Sequence, residues 1–191
     1  MEAHTNSDRP AIREAGAGDA DAIARLHTQS WREVYRGILP DTYLNHEVGG
    51  ERLRHWTGAL AASDGGFVLV AGTDDAVSGF IAVARDSEPG YDAVIDSLHV
   101  AAAWRGCGLG RRLMGQAAAR LLADGATSVC LRVFDANTAA IRFYRRLGGR
   151  PDGTGIDPFA SADMPDTRFG WRDLAALREA CMADGLDDSH R

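Results

Sequence analysis

Apolar positions along this chain recur with two rhythms, and the switches between them mark out the elements. Residues 11–15 predict a short strand. Behind Asp19, a suitable N-cap, Ile23, Leu26, Ser30, Trp31 and Val34 then recur at helical spacing. Gly37 and Pro40 stop that helix, and Asp41 caps a second one reaching about to Trp56. After Gly65-Gly66 come two β-rich runs, 67–71 and 77–84, joined by Thr73-Asp74-Asp75 as a hairpin, and then a polar loop over 86–92.

The second half changes rhythm. Residues 93–100 predict a strand and 104–110 a glycine-rich turn. Leu109, Leu113, Ala117 and Leu121 then recur every four residues, giving a helix that ends near Asp124-Gly125. A strand over 128–134 and a helix over 137–147 follow, the latter stopped by Gly148-Gly149. Residues 150–165, rich in Gly, Pro and Asp, read as a loop, 167–174 as a last strand, and 175–191 as a helix trailing into an acidic tail. The order is β, two helices, a β run, then β–α–β–α–β: an α/β or α+β domain on a mixed sheet. Without repeats or an internal linker, 11–175 reads as one domain between a flexible leader at 1–10 and a C-terminal helix and tail at 176–191.

Composition narrows the function classes. The chain has 191 residues, 45% hydrophobic and 25% charged, which is ordinary globular usage and excludes wholesale disorder, collagen and coiled coil. Its 27 acidic against 21 basic residues give a net charge of −6, which argues against a broad nucleic-acid or anionic-membrane surface. The longest apolar runs, 67–71 and 80–84, are far too short to span a bilayer, and the polar start does not read as a signal peptide. Cys107, Cys130 and Cys181 are odd in number and widely spaced, suggesting neither a disulfide framework nor a zinc site. His27, His46 and His55 show no metal spacing either. The expectation is a reduced, cytoplasmic, metal-free protein.

The most informative segment is the strand ending Leu98-His99-Val100, followed by Trp104-Arg105-Gly106-Cys107-Gly108-Leu109-Gly110-Arg111 at the start of an amphipathic helix. The first N–H groups of a helix have no partner within it and sit at the positive end of its dipole. Glycines let an anion approach them closely, so a phosphate is the natural guest, and Arg105, Arg111 and Arg112 add positive charge. The spacing does not suit a dinucleotide fold, whose third glycine comes one residue later, with an acid about 20 residues on. Nor does it suit a P-loop, which needs a lysine. The alternative is a tight turn that merely packs glycines at a helix start.

The turn does not stand alone. Leu98-His99-Val100 with the 104–110 turn resembles the acyl-CoA pyrophosphate loop of the GCN5-related N-acetyltransferases, whose signature is [RQ]-x-x-G-x-[GA]. Asn137-Thr138-Ala139-Ala140-Ile141-Arg142-Phe143-Tyr144-Arg145-Arg146-Leu147-Gly148 resembles that family's next strand–helix unit, and Ser30 to Pro40 its first inter-helix connection. The resemblance runs in order from about Ile12 to Leu174. It implies a mostly antiparallel central sheet flanked by helices, splayed between its two central strands where the acyl-CoA arm lies.

The resemblance also implies roles. Backbone N–H groups from Arg105 through Gly106, Cys107, Gly108, Leu109 and Gly110 to Arg111 would hold the CoA pyrophosphate, and the main chain around Leu98, His99 and Val100 the pantetheine arm. His99 points to the opposite face of its strand and reads as structural. Asn137 stands where family members place a cofactor-touching Asn, and it equally suits a plain N-cap. Tyr144, two turns along the same face, stands where the family places the acid that protonates the leaving thiolate; the alternative is a core aromatic. The family's usual basic Glu is replaced by Val94, and Asp96, the only acid on that strand, faces the same side. Asp96 is the candidate base, with a strand-edge carboxylate as the alternative. Trp31 and Tyr35, four apart on one helix, either line the acceptor cleft or simply pack on the sheet.

The function implied is transfer of acetyl from acetyl-CoA to a primary amine of a small molecule, directly in a ternary complex. Alternatives are a protein or peptide N-acetyltransferase, a non-catalytic acyl-CoA sensor, which Val94 keeps open, and a nucleotide-binding module without CoA. Dimers are common in the family, so a homodimer is an expectation from the resemblance.

Overall fold

In the structure, a computed structural model, the described residues are 10–62, 65–73, 76–85, 88–159 and 162–183. The elements are β1 (Ile12–Glu14), α1 (Ala20–Val34), α2 (Val48–Ala61), β2 (Phe67–Gly72), β3 (Val77–Arg85), β4 (Ala93–Val100), α3 (Leu109–Ala123), β5 (Val129–Phe134), α4 (Thr138–Arg146), β6 (Arg150–Phe159), β7 (Ala162–Trp171) and α5 (Leu174–Met182). The strands form one sheet in the order β1-β2-β3-β4-β5-β7-β6. β1–β2, β5–β7 and β6–β7 are antiparallel, whereas β4 and β5 are parallel and registered at Val94↔Cys130. The mixed sheet is what the element order predicts, and its mostly antiparallel pairing flanked by helices is what the family resemblance implies. The predicted leader, apart from Pro10, lies outside the described residues, as do Asp74 and Asp75 of the hairpin turn and the acidic tail beyond Ala183.

Contacts divide the chain into two compact units, Met1–Ala82 with Ser97–Leu113, and Val83–Asp96 with Met114–Arg191. In the first, α1 presents Ala20, Ile23, Ala24 and Leu26 to a core completed by Trp56, Val70, Phe80 and Ala82. Asp19 stands at the N-cap position of α1, as predicted, but its side chain makes no cap hydrogen bond. Its carboxylate is held by the Arg13 guanidinium at 2.8 and 2.9 Å and by the Gly16 N–H at 2.8 Å, and Arg13 above all keeps it below the usual carboxylate range. The second helix also departs from its prediction. A π-turn over Tyr43–Glu47 leads into α2, which runs on to Ala61, and the Asp41 carboxylate faces Arg36 at 3.4 Å.

In the second unit, α5 meets α3 where Gly115 leaves room for Cys181: a Cβ there would lie 3.0 Å from the cysteine's own. The segment 150–165, which reads as a loop, is strand β6 and the start of β7. Pro151 and Pro158 are tolerable because β6 is an edge strand, and its ladder with β7 shifts register between Pro151 and Gly153. The last strand therefore starts earlier than predicted and ends at Trp171, and Leu174 opens α5 behind its N-cap Asp173. A network of ion pairs laces this region together. Arg168 contacts Glu88 at 2.6 Å and Asp152 at 2.8 Å, and Arg132 contacts Asp166 at 2.8 Å.

Candidate functional site

The glycine-rich turn lies in the first unit, and its geometry follows from a few residues. β4 ends in a single 3-10 turn, Ala102–Trp104, with the Ala101 N–H donating to Ser78 O at 2.9 Å. Gly106 and Gly108 take φ of +78° and +80°, a region that L side chains rarely adopt. A Cβ added at Gly106 would meet nothing within 4 Å, so the backbone there is approachable. The first helical bond, Arg112 N–H to Gly108 O at 3.0 Å, then begins α3. This combination of an open, left-handed backbone and a helix N-terminus suits an anionic group.

What anchors the turn was not visible in the sequence. Leu109 and Leu113 are buried, and Gly79 on β3 makes room for both: a Cβ there would lie 3.1 Å from Leu113 Cδ1 and from His99 O. The Arg105 guanidinium, read from the sequence as added charge for a phosphate, donates from Nε to Val100 O at 3.0 Å and pairs with Glu33 of α1 at 2.7 Å. It ties the turn to its own strand and to α1. The Cys107 thiol donates to Trp104 O at 2.8 Å, closing the turn from within.

Leu98, His99 and Val100 form the end of β4 in the same unit. The His99 ring faces α1, as its register predicts. Its Nδ1 shares a hydrogen bond of 2.9 Å with Ser30 Oγ, and the ring lies 4.3 Å from that of His27 and 5.3 Å from Phe80. His27 Nδ1 accepts the Trp56 indole N–H at 3.1 Å, so that nitrogen carries no proton of its own. Burial first, then the Arg105 and Arg52 charges, pushes His99 down to about 3, and burial pushes His27 down further still. Both rings are neutral, and this pair forms a structural heart to the unit.

Trp31 and Tyr35 are buried and meet edge to face at 5.4 Å, with Tyr35 standing as the C-cap of α1. Against them lies a group that sequence spacing did not single out. Arg32 donates to Leu44 O at 2.7 Å and Asn45 O at 3.2 Å, holding carbonyls of the π-turn. That turn places Tyr43, whose hydroxyl donates to Glu51 at 2.8 Å. Glu51 also accepts from Arg52 at 2.5 Å, and the Arg52 guanidinium stands 5.1 Å over the Trp31 ring. Burial and the Glu51 carboxylate together push the Tyr43 hydroxyl well above its ordinary range.

Asp96, Asn137 and Tyr144 belong to the second unit. Asp96 is exposed on β4 between buried Ile95 and Ser97. Asn137 caps α4, its Oδ1 accepting from the Ala140 N–H at 3.1 Å. Tyr144 is buried, its ring 5.3 Å from Phe143, 6.3 Å from Phe169 and 6.1 Å from Trp171. Cys130, buried in β5, is pushed up to about 11 by that burial. All three cysteines are free thiols, and no described helix is long and apolar enough to cross a membrane.

Comparison with known proteins places this arrangement. The sequence model of the Acetyltransferase (GNAT) family matches residues 23–149. The chain is 30% identical over 171 residues to the uncharacterized N-acetyltransferase YuaI of Bacillus subtilis (strain 168), covering 87% of this chain and 95% of that one. Its fold is similar to the PaiA N-acetyltransferase of Thermoplasma acidophilum in complex with coenzyme A, with a TM-score of 0.63 at 18% identity over 82% of this chain and 96% of that one. It is also similar to yncA of Salmonella typhimurium, solved with acetyl-CoA, with a TM-score of 0.61 at 22% identity over 85% and 93%. The family match and the relative together establish that the chain belongs to the GNAT family of N-acetyltransferases.

Proposed function

We propose that the protein transfers acetyl from acetyl-CoA to the primary amine of a small molecule, directly and without a covalent enzyme intermediate. The observation that carries the reading is the 105–111 turn, where left-handed Gly106 and Gly108 bare the main chain at the start of α3. Backbone N–H groups of that turn hold the pyrophosphate, and the main chain of Leu98 and Val100 holds the arm that follows. Arg105 and Cys107 shape the turn rather than react. When bound, acetyl-CoA supplies the acetyl group as a thioester.

The chain's own residues then handle two protons. An ammonium cannot attack a thioester, so Asp96 takes the proton that the amine must lose. A thiolate near its reference pKa of about 8.5 accepts a proton from a positioned phenol, and Tyr144 is that phenol. Asn137 fixes the first turn of α4, on which Tyr144 stands two turns later. Trp31 and Tyr35 form one apolar wall of the acceptor site. The absence of a Glu at Val94 favours, as a second reading, an acyl-CoA sensor without turnover.

The test is acetyl-CoA-dependent thiol release across amines, amino acids, aminoglycosides and N-terminal peptides, beside calorimetry with CoA, acetyl-CoA, NAD and ATP. Release with a small amine and selective binding of CoA compounds are expected; binding without any release identifies the sensor. Gly108→Val forces a branched side chain into a φ of +80°, at a cost of about 1–2 kcal/mol, and crowds the N–H groups. CoA affinity is expected to fall at least 10-fold while far-UV circular dichroism stays unchanged. An unaltered dissociation constant in the folded variant would move the phosphate site elsewhere.

A further inference from the structure

The last turn of a helix is an unfavourable place for an acid, because the carbonyls left unpaired there carry the negative end of the dipole. Glu33 nevertheless stands in the last turn of α1, which ends at Val34. Its carboxylate is engaged through both oxygens. Gln29 Nε2 donates to Oε1 at 3.1 Å, and Arg105 Nη2 donates to Oε2 at 2.7 Å. Arg105 is held a second time, its Nε donating to Val100 O at 3.0 Å. Both bonds use one edge of the guanidinium, the fork that would otherwise clasp a phosphate. Three residues earlier on α1, and so on the same face, Ser30 Oγ shares its 2.9 Å hydrogen bond with His99 Nδ1. α1 therefore fastens the end of β4 at two points, His99 and Arg105, which flank Val100 in the sequence.

We infer that Glu33 is a positioning residue for the cofactor turn, holding the Arg105 guanidinium on Val100 O so that the 105–111 main chain is set for the pyrophosphate before CoA arrives. The inference rests on the proposed acetyl-CoA site and adds to it a residue of α1. Glu33 can bear on an anion in two ways, and they have opposite signs. As a charge alone, the carboxylate repels pyrophosphate; its removal would tighten binding, the more so as Arg105 would be released toward the phosphates. As an orienting partner, it keeps the turn in order; its removal would weaken binding, because part of the interaction free energy then goes into ordering the turn. The occupied fork of Arg105 favours the second. A half-exposed ion pair contributes little to folding stability, so the value of this one lies in where it holds the turn.

The experiment measures CoA binding by calorimetry on the parent, Glu33→Ala, Arg105→Gln and the double variant, with the melting temperature of each in the absence of CoA. Alanine suits a helix and removes an acid from its unfavourable end, so Glu33→Ala should melt within about 2 °C of the parent. Its CoA dissociation constant should nonetheless rise about 5-fold. Arg105→Gln, which also gives up the Val100 bond, should lose about 10-fold. The double variant should lose no more than Arg105→Gln alone, since Glu33 acts only through Arg105. Tighter or unchanged CoA binding in Glu33→Ala would overturn the role, as would losses that multiply in the double variant. Weaker binding together with a clearly lower melting temperature would mark Glu33 as merely structural and overturn it too. With an acceptor from the amine panel, KM for acetyl-CoA should rise in Glu33→Ala while kcat holds, the mark of lost uniform binding. A fall in kcat with KM unchanged would contradict positioning. If no amine releases thiol, the transfer reading falls while the binding cycle still decides Glu33; a parent that binds no CoA overturns both.

Discussion

Replacing Tyr144 with Phe is expected to lower turnover about 100-fold while leaving acetyl-CoA affinity and stability nearly unchanged. The ring is held by Phe143, Phe169 and Trp171, and phenylalanine keeps every one of those contacts. Only a hydroxyl is lost, and a proton delivered as the thiolate departs acts in the transition state alone. Single-turnover kinetics at saturating donor isolate the chemical step. Full turnover in that regime would assign the acid elsewhere. Asp96→Asn provides the contrast. Its loss should be greatest near neutral pH and partly recovered as the pH rises, because more of the amine is then already neutral. A profile parallel to the parent's would remove Asp96 from the role of base.

Acidification from pH 7.5 to 5 is expected to cost about 4 kcal/mol of folding stability, shared between His27 and His99. Unfolded histidine takes up its proton near pH 6.5. In the fold His99 holds out to about 3, because the half-buried ring is desolvated, and the fully buried His27 lower still. Cationic Arg105 and Arg52 face His99, while His99, Arg52 and His55 face His27. Below pH 6.5 the unfolded chain therefore binds more protons than the folded one, and stability falls as the pH falls. The carboxylates that arginine partners hold low, such as Asp19 and Glu88, give up their contribution only below about pH 4, so the window between 6.5 and 4.5 belongs to the histidines. Urea unfolding followed by tryptophan fluorescence measures the slope, and His99→Gln should reduce it by about half. A midpoint that stays constant from pH 7 to 5 would contradict the buried, neutral pair.

Local features of the site were legible in the sequence, and long-range ones were not. The 104–110 turn is recognisable because alternate glycines before an amphipathic helix state their own backbone geometry. Asn137 could be read as a cap for the same reason. Arg105 and Glu33 lie 72 residues apart, and no local pattern announces that they meet. Tyr43, Glu51 and Arg52 stayed hidden because the π-turn shifts the helical phase, so a count at 3.6 residues per turn puts them on the wrong face. Gly79 lies inside the β-rich run 77–84, and no local pattern announces that its missing side chain is what admits Leu109 and Leu113. In 150–165 the turn-forming residues outweighed the pairing that the β7 partner supplies, which is a tertiary effect.

Strand β6 also bears on how copies of the protein can meet. A bare sheet edge offers a row of N–H and C=O groups onto which another chain can add a strand. Along β6, Pro151 and Pro158 contribute no N–H, and the register break at Pro151/Gly153 disrupts the regular spacing a newcomer would need. At the opposite edge, β1 spans only Ile12–Glu14. Both margins are poor templates for intermolecular β-addition, which protects a crowded solution of this enzyme from edge-to-edge polymerisation and leaves helical and loop surfaces as the ground for self-association.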